Sequence, residues 1–187
     1  MRIIKIFILV FSILFFLSYS YAMSYEEASY EIIKKNEVFE IRKYSDRLAV
    51  ETIAINQDNN FKKLFNYISG RNETGEKIKM TTPVTQIKKD GNMSMQFYLP
   101  LKFDINNVPN PTTQDVKIIK IKEGHYAVIQ YSGRASDKNF LKHKKVLLKE
   151  LEKNNIIISS EPIKATYDSP FTLPMFRRNE VMFKINY

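Results

Sequence analysis

Tyr167-Asp168-Ser169-Pro170-Phe171-Thr172-Leu173-Pro174-Met175-Phe176-Arg177-Arg178-Asn179-Glu180-Val181 leads into Met182-Phe183-Lys184-Ile185-Asn186-Tyr187 at the carboxyl end of the chain. Pro170 and Pro174 hold the first part off any helix or central strand, because proline lacks an N–H and fixes φ. Beyond it, Val181, Phe183, Ile185 and Tyr187 alternate with Met182, Lys184 and Asn186, the period of a half-buried terminal strand. A stiff aromatic loop therefore feeds a strand. Arg178 and Glu180 share one parity there, which favours a structural ion pair or loop clamp over an anion site.

Strand-like runs dominate the chain before that tail. Tyr30 to Lys34 and Val38 to Tyr44 are short strands broken at Lys35-Asn36-Glu37, and Leu48 to Ile55 is a third, rich in β-branched residues. Val84 to Lys88 and Met93 to Leu99 join through Asp90-Gly91, a dipeptide that accepts the positive φ angles of a tight hairpin. Val116 to Lys122 and Tyr126 to Ser132 make a second predicted hairpin about Glu123-Gly124, and a further strand lies near Ile163 to Tyr167. Between them the period changes to that of a helix twice. Asp58 or Asn59 caps the first, in which Phe61, Leu64, Phe65 and Ile68 recur at helical spacing before Gly70 supplies a left-handed stop. Ser136 caps the second, which runs to about Asn154 and turns Phe140, Leu147, Leu148 and Leu151 to the core. The order predicts an α+β domain: a twisted, barrel-like antiparallel sheet flanked by two α-helices, with pseudo-duplicated halves each giving hairpin strands and one helix.

The first residues read as a secretory leader. Met1-Arg2-Ile3-Ile4-Lys5 is a short basic region, Ile6 to Leu17 is almost wholly apolar, and Ser20-Tyr21-Ala22 offers small residues at the −3 and −1 positions of a cleavage site. A signal peptide over residues 1–22 and an exported, periplasmic or secreted, domain over residues 23–187 are expected. An uncleaved membrane anchor is the alternative, although the apolar run falls short of the roughly 20 residues that span a bilayer. The domain suits a single core at 44% hydrophobic and 13% aromatic content. The chain has no cysteine, so disulfides, thiolate metal sites, a cysteine nucleophile and lipoprotein acylation are excluded. Asn72-Glu73-Thr74 and Asn92-Met93-Ser94 match glycosylation acceptors, relevant only in a eukaryotic source.

The formal charge of +9 does not point to nucleic acid. Its lysines are scattered, and Lys142, Lys144, Lys145 and Lys149 fit the wet face of the second helix. A basic surface of this kind attracts anionic membrane surfaces or carboxylate-bearing ligands weakly. His125 and His143 lie in different elements without acidic residues at ligand spacing, and read as solvated side chains rather than a metal site or triad. Met80-Thr81-Thr82-Pro83-Val84 reads first as structure: Pro83 sets an extended entry into a strand, the threonines satisfy backbone groups and Met80 fills core space. What remains is an apolar groove. Phe61 and Phe65 stand one turn apart, and Phe171, Leu173 and Met175 sit on a loop that cannot bury all of itself. If loop and helix meet they form a flat slot suited to a macrocycle, with Lys62, Lys63 and Arg71 near its carboxylates; the alternative is that both phenylalanines face the core.

The segments Met80-Thr81-Thr82-Pro83-Val84 and Arg177-Arg178-Asn179-Glu180-Val181, in that order, resemble the SOUL family of haem-binding proteins, and the resemblance runs from about Tyr25 to Tyr187. It implies the same sheet with two helices. It also implies a non-covalent ligand in a hydrophobic cleft along the first helix, held by packing and basic side chains rather than always by an axial histidine. Carried over by residue, it supports Phe61 and Phe65 as lining. Positions that are basic in the best-known animal relative fall on Asn66 and Leu173, so propionate recognition is expected to be weak. The expectation is a monomeric, non-enzymatic binder of haem or a related porphyrin, acting as carrier, buffer or scavenger through Phe61, Lys62, Phe65, Phe171, Leu173 and Met175. The alternative is a small-molecule or partner-binding module of the same fold that does not take haem.

Overall fold

The computed structural model describes residues 25–54 and 59–187; the expected leader over residues 1–22, together with Ile55 and Asp58, lies outside them. In chain order the strands and helices are β1 (Glu26–Glu27), β2 (Tyr30–Lys35), β3 (Glu40–Tyr44), β4 (Arg47–Ala54), α1 (Asn60–Ile68), β5 (Thr81–Thr82), β6 (Val84–Lys89), β7 (Asn92–Tyr98), β8 (Lys117–Ile121), β9 (Gly124–Tyr131), α2 (Asp137–Lys153), β10 (Ile157–Ile158), β11 (Ile163–Thr166) and β12 (Asn179–Asn186). Nine of them form one antiparallel sheet in the order β2-β3-β9-β12-β11-β6-β7-β4-β8, with β10 paired to β12 and a separate parallel pair of β1 and β5. The protein is an α+β fold.

Local chemistry sets several of these elements. Asp90 and Gly91 take φ of 50° and 80° and turn β6 into β7, and Gly70, at φ 104°, ends the turn after α1. The Ser136 side chain accepts a hydrogen bond from the Asn139 amide at 3.3 Å, capping α2. Asn59 behaves otherwise: it has φ 75° and no side-chain cap, so α1 begins from a left-handed residue rather than a capping one.

The hairpin expected about Glu123-Gly124 does not form. β8 pairs with β4, whereas β9 pairs with β3 and β12. Gly124 is not in the positive-φ region a tight hairpin needs; the end of the Lys184 side chain crosses over it, where an added Cβ would meet Cε at 2.6 Å and push that flexible side chain aside. The pattern repeats in the first half, where consecutive β3 and β4 lie on different parts of the sheet. Each half thus lends its leading strand to the other: β3 precedes β4 but completes β9, and β8 precedes β9 but completes β4. The two pseudo-equivalent units, β4-β7-β6 and β9-β12-β11, meet where β6 pairs with β11.

Both links, Ser45-Asp46 and Lys122-Glu123, are short enough that the strands they join must end within about 11 Å of each other. The sheet therefore curls until its β4–β8 end approaches β3 and β9. Asp46 ties the links together, accepting from the Glu123 amide at 2.8 Å and pairing with Lys120 at 2.6 Å. Across the same gap the Arg47 guanidinium lies 4.6 Å from the Tyr44 ring centre, 4.9 Å from Tyr98 and 5.4 Å from Tyr126.

Strand parity sorts side chains between the two faces of this curl. Leu48, Val50 and Phe97 face outward under α1, where Leu64, Tyr67 and Ile68 complete one core. Val181, Phe183 and Ile185 face outward under α2 and pack on Leu147 and Leu151, both fully buried. Burying a leucine of this kind is worth about 1.5–3 kcal/mol. The terminal strand is not half-buried, as its alternation suggests, because β12 lies between β9 and β11 with Met182 as covered as Val181.

The inner face is polar where it is tightest. Glu180 is completely buried, and its carboxylate accepts from Arg42 at 3.1 Å, from Arg178 at 2.9 and 3.0 Å, and from the Tyr167 hydroxyl at 2.7 Å. Ala165, its cross-strand neighbour, leaves room for these groups. Burial opposes the Arg42 charge, yet Glu180 outweighs it and keeps the guanidinium cationic. Arg178 also reaches Glu27 at 2.9 Å, clamping the beginning of the domain to its end. The expected ion pair of Arg178 and Glu180 is thus part of a larger network. Elsewhere Asn72 is buried and donates to the Tyr67 and Glu76 carbonyls, so in this fold its amide is not offered as a glycan acceptor. Replacing Glu180 by Gln leaves two guanidinium groups short of a buried counter-charge; a loss of about 3–5 kcal/mol in urea unfolding is expected, with the far-ultraviolet spectrum retained in buffer.

Candidate functional site

α1 packs on β4 and β7, and α2 on β9 and β12. The outer face of the strands between them, β11 and β6, is left without a helix. Register places Lys164 beside Gln86 and Gln86 beside Met95, with Thr166 beside Val84, so these side chains tile one outward floor across three strands. A cleft of about 550 Å³ lies over that floor. Such a volume falls within the roughly 300–1,000 Å³ usual for small-molecule sites.

Phe61 and Phe65 form the helical wall. Their rings stack with centres 6.0 Å apart and 13° between planes, and Phe61 meets Phe97 edge-on at 5.1 Å. Each remains 48% exposed, because the face of α1 turned to the core is Asn60, Leu64, Tyr67 and Ile68 rather than the stripe expected from sequence. The reading in which both phenylalanines face the core is therefore excluded. Met80 and Thr82 close one end together with Tyr25, and the leg of the tail loop from Tyr167 to Pro170 forms the remaining wall. Thr81 donates to the Tyr98 carbonyl at 2.6 Å, so the Met80-to-Val84 segment holds backbone in place while Met80 and Val84 also face the cleft.

The other residues singled out from sequence lie apart from these walls. Phe171, Leu173 and Met175 continue the loop beyond Pro170 and are exposed, but are not among the lining residues. Pro174–Phe176 closes that loop as a 3₁₀ turn. Lys62 is exposed on α1 next to Phe61, Lys63 pairs with Asp115 at 2.7 Å, and Arg71 is exposed beyond the helix. His125 and His143 are both outside the cleft. His143 is not simply solvated: its ring stacks on Tyr131 at 4.1 Å and Nδ1 lies 2.8 Å from the Asn139 carbonyl.

Sequence reasoning missed Lys164, the cation nearest the floor. Its Nζ bonds Asp137 at 2.9 Å, and that bond holds the Asp137 carboxyl below the usual range. The alternation in Ile163-Lys164-Ala165-Thr166 carried the signal, since Lys164 has the parity opposite to buried Ala165. Tyr25, Gln86 and Met95 were also missed; their meeting depends on register across strands distant in sequence. Among the described residues no group of His, Cys, Asp or Glu is arranged to hold a metal ion. Asp168 accepts from the Arg178 amide and Tyr167 donates to Glu180, so the polar groups on the loop wall are engaged in shaping it.

The family model of the SOUL heme-binding protein matches residues 25–184. Mouse heme-binding protein 2 is 29% identical over 157 residues, covering 76% of each chain. Among solved structures, an uncharacterized conserved protein from Listeria innocua superposes with TM-score 0.60 at 9% identity, covering 81% of this chain and 94% of that one. A hydrolase from the same organism gives 0.58 at 9% identity, covering 82% and 94%. The C-terminal domain of EcmrR gives 0.56 at 14% identity, covering 84% and 98%. These three likenesses concern the fold.

Tyr167 joins the cleft wall to the buried carboxylate, and its replacement separates the two. Burial and the Glu180 charge hold its hydroxyl well above the usual tyrosine range. An acid whose folded pKa is raised stabilises the fold below its unfolded pKa, about 10, and that contribution disappears as pH rises through the folded value. Tyr167→Phe is expected to keep the wall but lose about 1.5–3 kcal/mol at neutral pH in urea unfolding. It should also lose less stability than wild type on going from pH 8 to alkaline solution above roughly pH 10.

Proposed function

This chain belongs to the SOUL heme-binding family, and we propose that it binds haem or a related porphyrin in the cleft between α1 and the tail loop. The observation that carries this reading is the stacked, half-exposed pair Phe61 and Phe65 beside the apolar part of the floor, Val84 and Met95. Leaving such surface in water is unfavourable by about 25 cal/mol per Å², and a flat macrocycle is a natural cover for it. For its carboxylates the cations at hand are Lys164 at the floor, which would exchange its bond to Asp137 for one to the ligand, and Lys62, exposed on α1. Phe171, Leu173 and Met175 are proposed to meet the outer edge of the ligand at the rim.

The chain's own residues do the holding. Stacking on Phe61 and Phe65 orients the ring, the floor excludes water from one face, and the lysines neutralise propionates. A bound haem supplies iron with its redox and ligand-exchange chemistry. On the loop wall the Tyr167 hydroxyl and the Asp168 carboxylate are held in structural bonds, which supports a carrier, buffer or scavenger rather than an enzyme. We further propose that residues 23–187 act as an exported monomer after cleavage near Ala22, with a retained membrane anchor as the alternative.

Soret-band titration with haemin tests the reading. Phe61→Asp and Phe65→Asp are expected to weaken binding at least tenfold, a change of about 1.4 kcal/mol or more, because a carboxylate must be desolvated against the ring. His125→Ala and His143→Ala are expected to bind as wild type, with circular dichroism confirming that every variant is folded. Wild-type binding by both aromatic variants would remove the cleft assignment. No Soret shift for the wild-type protein would favour a binding module of the same fold that does not take haem.

A further inference from the structure

Phe171, Leu173, Met175 and Phe176 are 94%, 58%, 68% and 70% exposed, yet the backbone beneath them is tightly organised. Arg177 donates Nε to the Thr172 carbonyl at 2.7 Å and a terminal nitrogen to the Pro170 carbonyl. The Gly133 amide donates to Pro174 at 2.8 Å, the Thr172 amide to Ser169 at 3.0 Å and the Phe176 amide to Leu173 at 2.9 Å. A slack loop would fold such side chains inward. This one, stiffened by two prolines and an arginine, presents them to solvent, and large apolar patches held outward mark contact surfaces. Contact with the edge of one ligand does not use four of them.

The charges around the patch identify the other side of the contact. Arg134 is exposed and follows Gly133, whose bond to Pro174 places it beside the loop. Arg177 lies within the loop, and Lys62 is exposed on the helix forming the opposite wall of the cleft. Of the neighbouring carboxylates, Asp137 is paired with Lys164, and Asp168 is turned to the Arg178 amide. Apolar tips beside the exposed Arg134 and the loop's own Arg177, in a basic chain, match an interface of acyl chains beneath anionic headgroups. Among the described residues no helix is long and apolar enough to cross a membrane, and the loop would engage only the surface.

We propose that residues 170–177 form a docking element that seats this protein on an anionic bilayer. Pro170 both begins the loop and lines the cleft, so the docked protein turns its cleft mouth toward the lipid. If the cleft takes a porphyrin, as proposed above, the ligand then passes between lipid and protein without crossing water. Docking itself does not depend on that ligand.

The chain has no cysteine, so Thr172→Cys offers a single attachment point for an environment-sensitive fluorophore, and Thr112→Cys offers a control on a remote loop. With residues 23–187, the form proposed to act, folded by circular dichroism and free of haemin, phosphatidylserine-containing vesicles should blue-shift the label at position 172 and leave that at 112 unchanged. The shift should fade with added salt and be smaller on pure phosphatidylcholine. Phe171→Asp combined with Phe176→Asp, folded by circular dichroism, should raise the vesicle concentration at half-shift by roughly tenfold or more. A label at 172 that stays in water on anionic vesicles would overturn the proposal. So would equal shifts at both positions, equal response to both vesicle types, or a shift without vesicles that grows with protein concentration, which would assign the patch to a second copy. Haemin titration in solution reads the cleft separately.

Discussion

Two pairs of strands joined by only two residues each, across Ser45-Asp46 and Lys122-Glu123, impose the constraint from which this structure unfolds. Because neither pair is hydrogen-bonded within itself, each short link must bridge two regions of the sheet, and the sheet has to bend until those regions adjoin. The interior left by that bend is narrow. It is filled partly by tyrosines and Met182, and partly by a carboxylate with two guanidinium groups whose hydrogen bonds substitute for water. A bent sheet with so little room inside must carry its helices outside. Two helices over separate strand pairs leave the middle strands bare, and the cleft is what that bare strip becomes.

The polar interior does more than tolerate burial. A completely enclosed Glu180 accepts from strand β3, from its own strand and from Tyr167 at the end of β11, so one carboxylate checks the alignment of three segments at once. A one-residue slip in register turns a strand's apolar set to the wrong face, and here it would also strip a buried charge of its partners, which is costly. Tyr167 carries that alignment outward, since the residue that donates to Glu180 also belongs to the cleft lining. The loop wall is accordingly positioned by the best-connected point of the interior.

Features that depend on a few consecutive residues were legible in the sequence. Asp90-Gly91 announced its turn through the φ angles it permits, Ser136 its cap, and Arg178 with Glu180 their pairing through shared parity. Glu123-Gly124 misled because local spacing describes a hairpin whether or not the flanking strands find better partners, and here β4 and β3 supplied them. The groove was legible on its helical side, as Phe61 and Phe65 are neighbours by helix geometry alone. Lys164, Gln86 and Met95 were not, since their adjacency is a product of pairing among β11, β6 and β7. Exposure of the two phenylalanines turned on a rotation of α1 set by Tyr67, whose hydroxyl donates to the Pro109 carbonyl at 2.7 Å, a loop contact with no local signature.

The exchange of leading strands also governs when the molecule can become itself. A growing polypeptide delivers β3, β4, α1, β6 and β7 early, but β3 awaits β9, β4 still lacks β8, and β6 lacks β11. The last of the described strands in chain order, β12, belongs between β9 and β11 in the middle of the sheet, and with it arrives Glu180. Neither half offers a finished edge on which the nascent chain could settle as an independent unit. Assembly of the sheet is therefore dominated by contacts between residues distant along the chain, and slow relative to helical proteins of similar length. Until Asn179–Asn186 has been made, the core under α2 lacks Val181, Phe183 and Ile185 and stays uncovered, whereas the core under α1 draws only on residues already made.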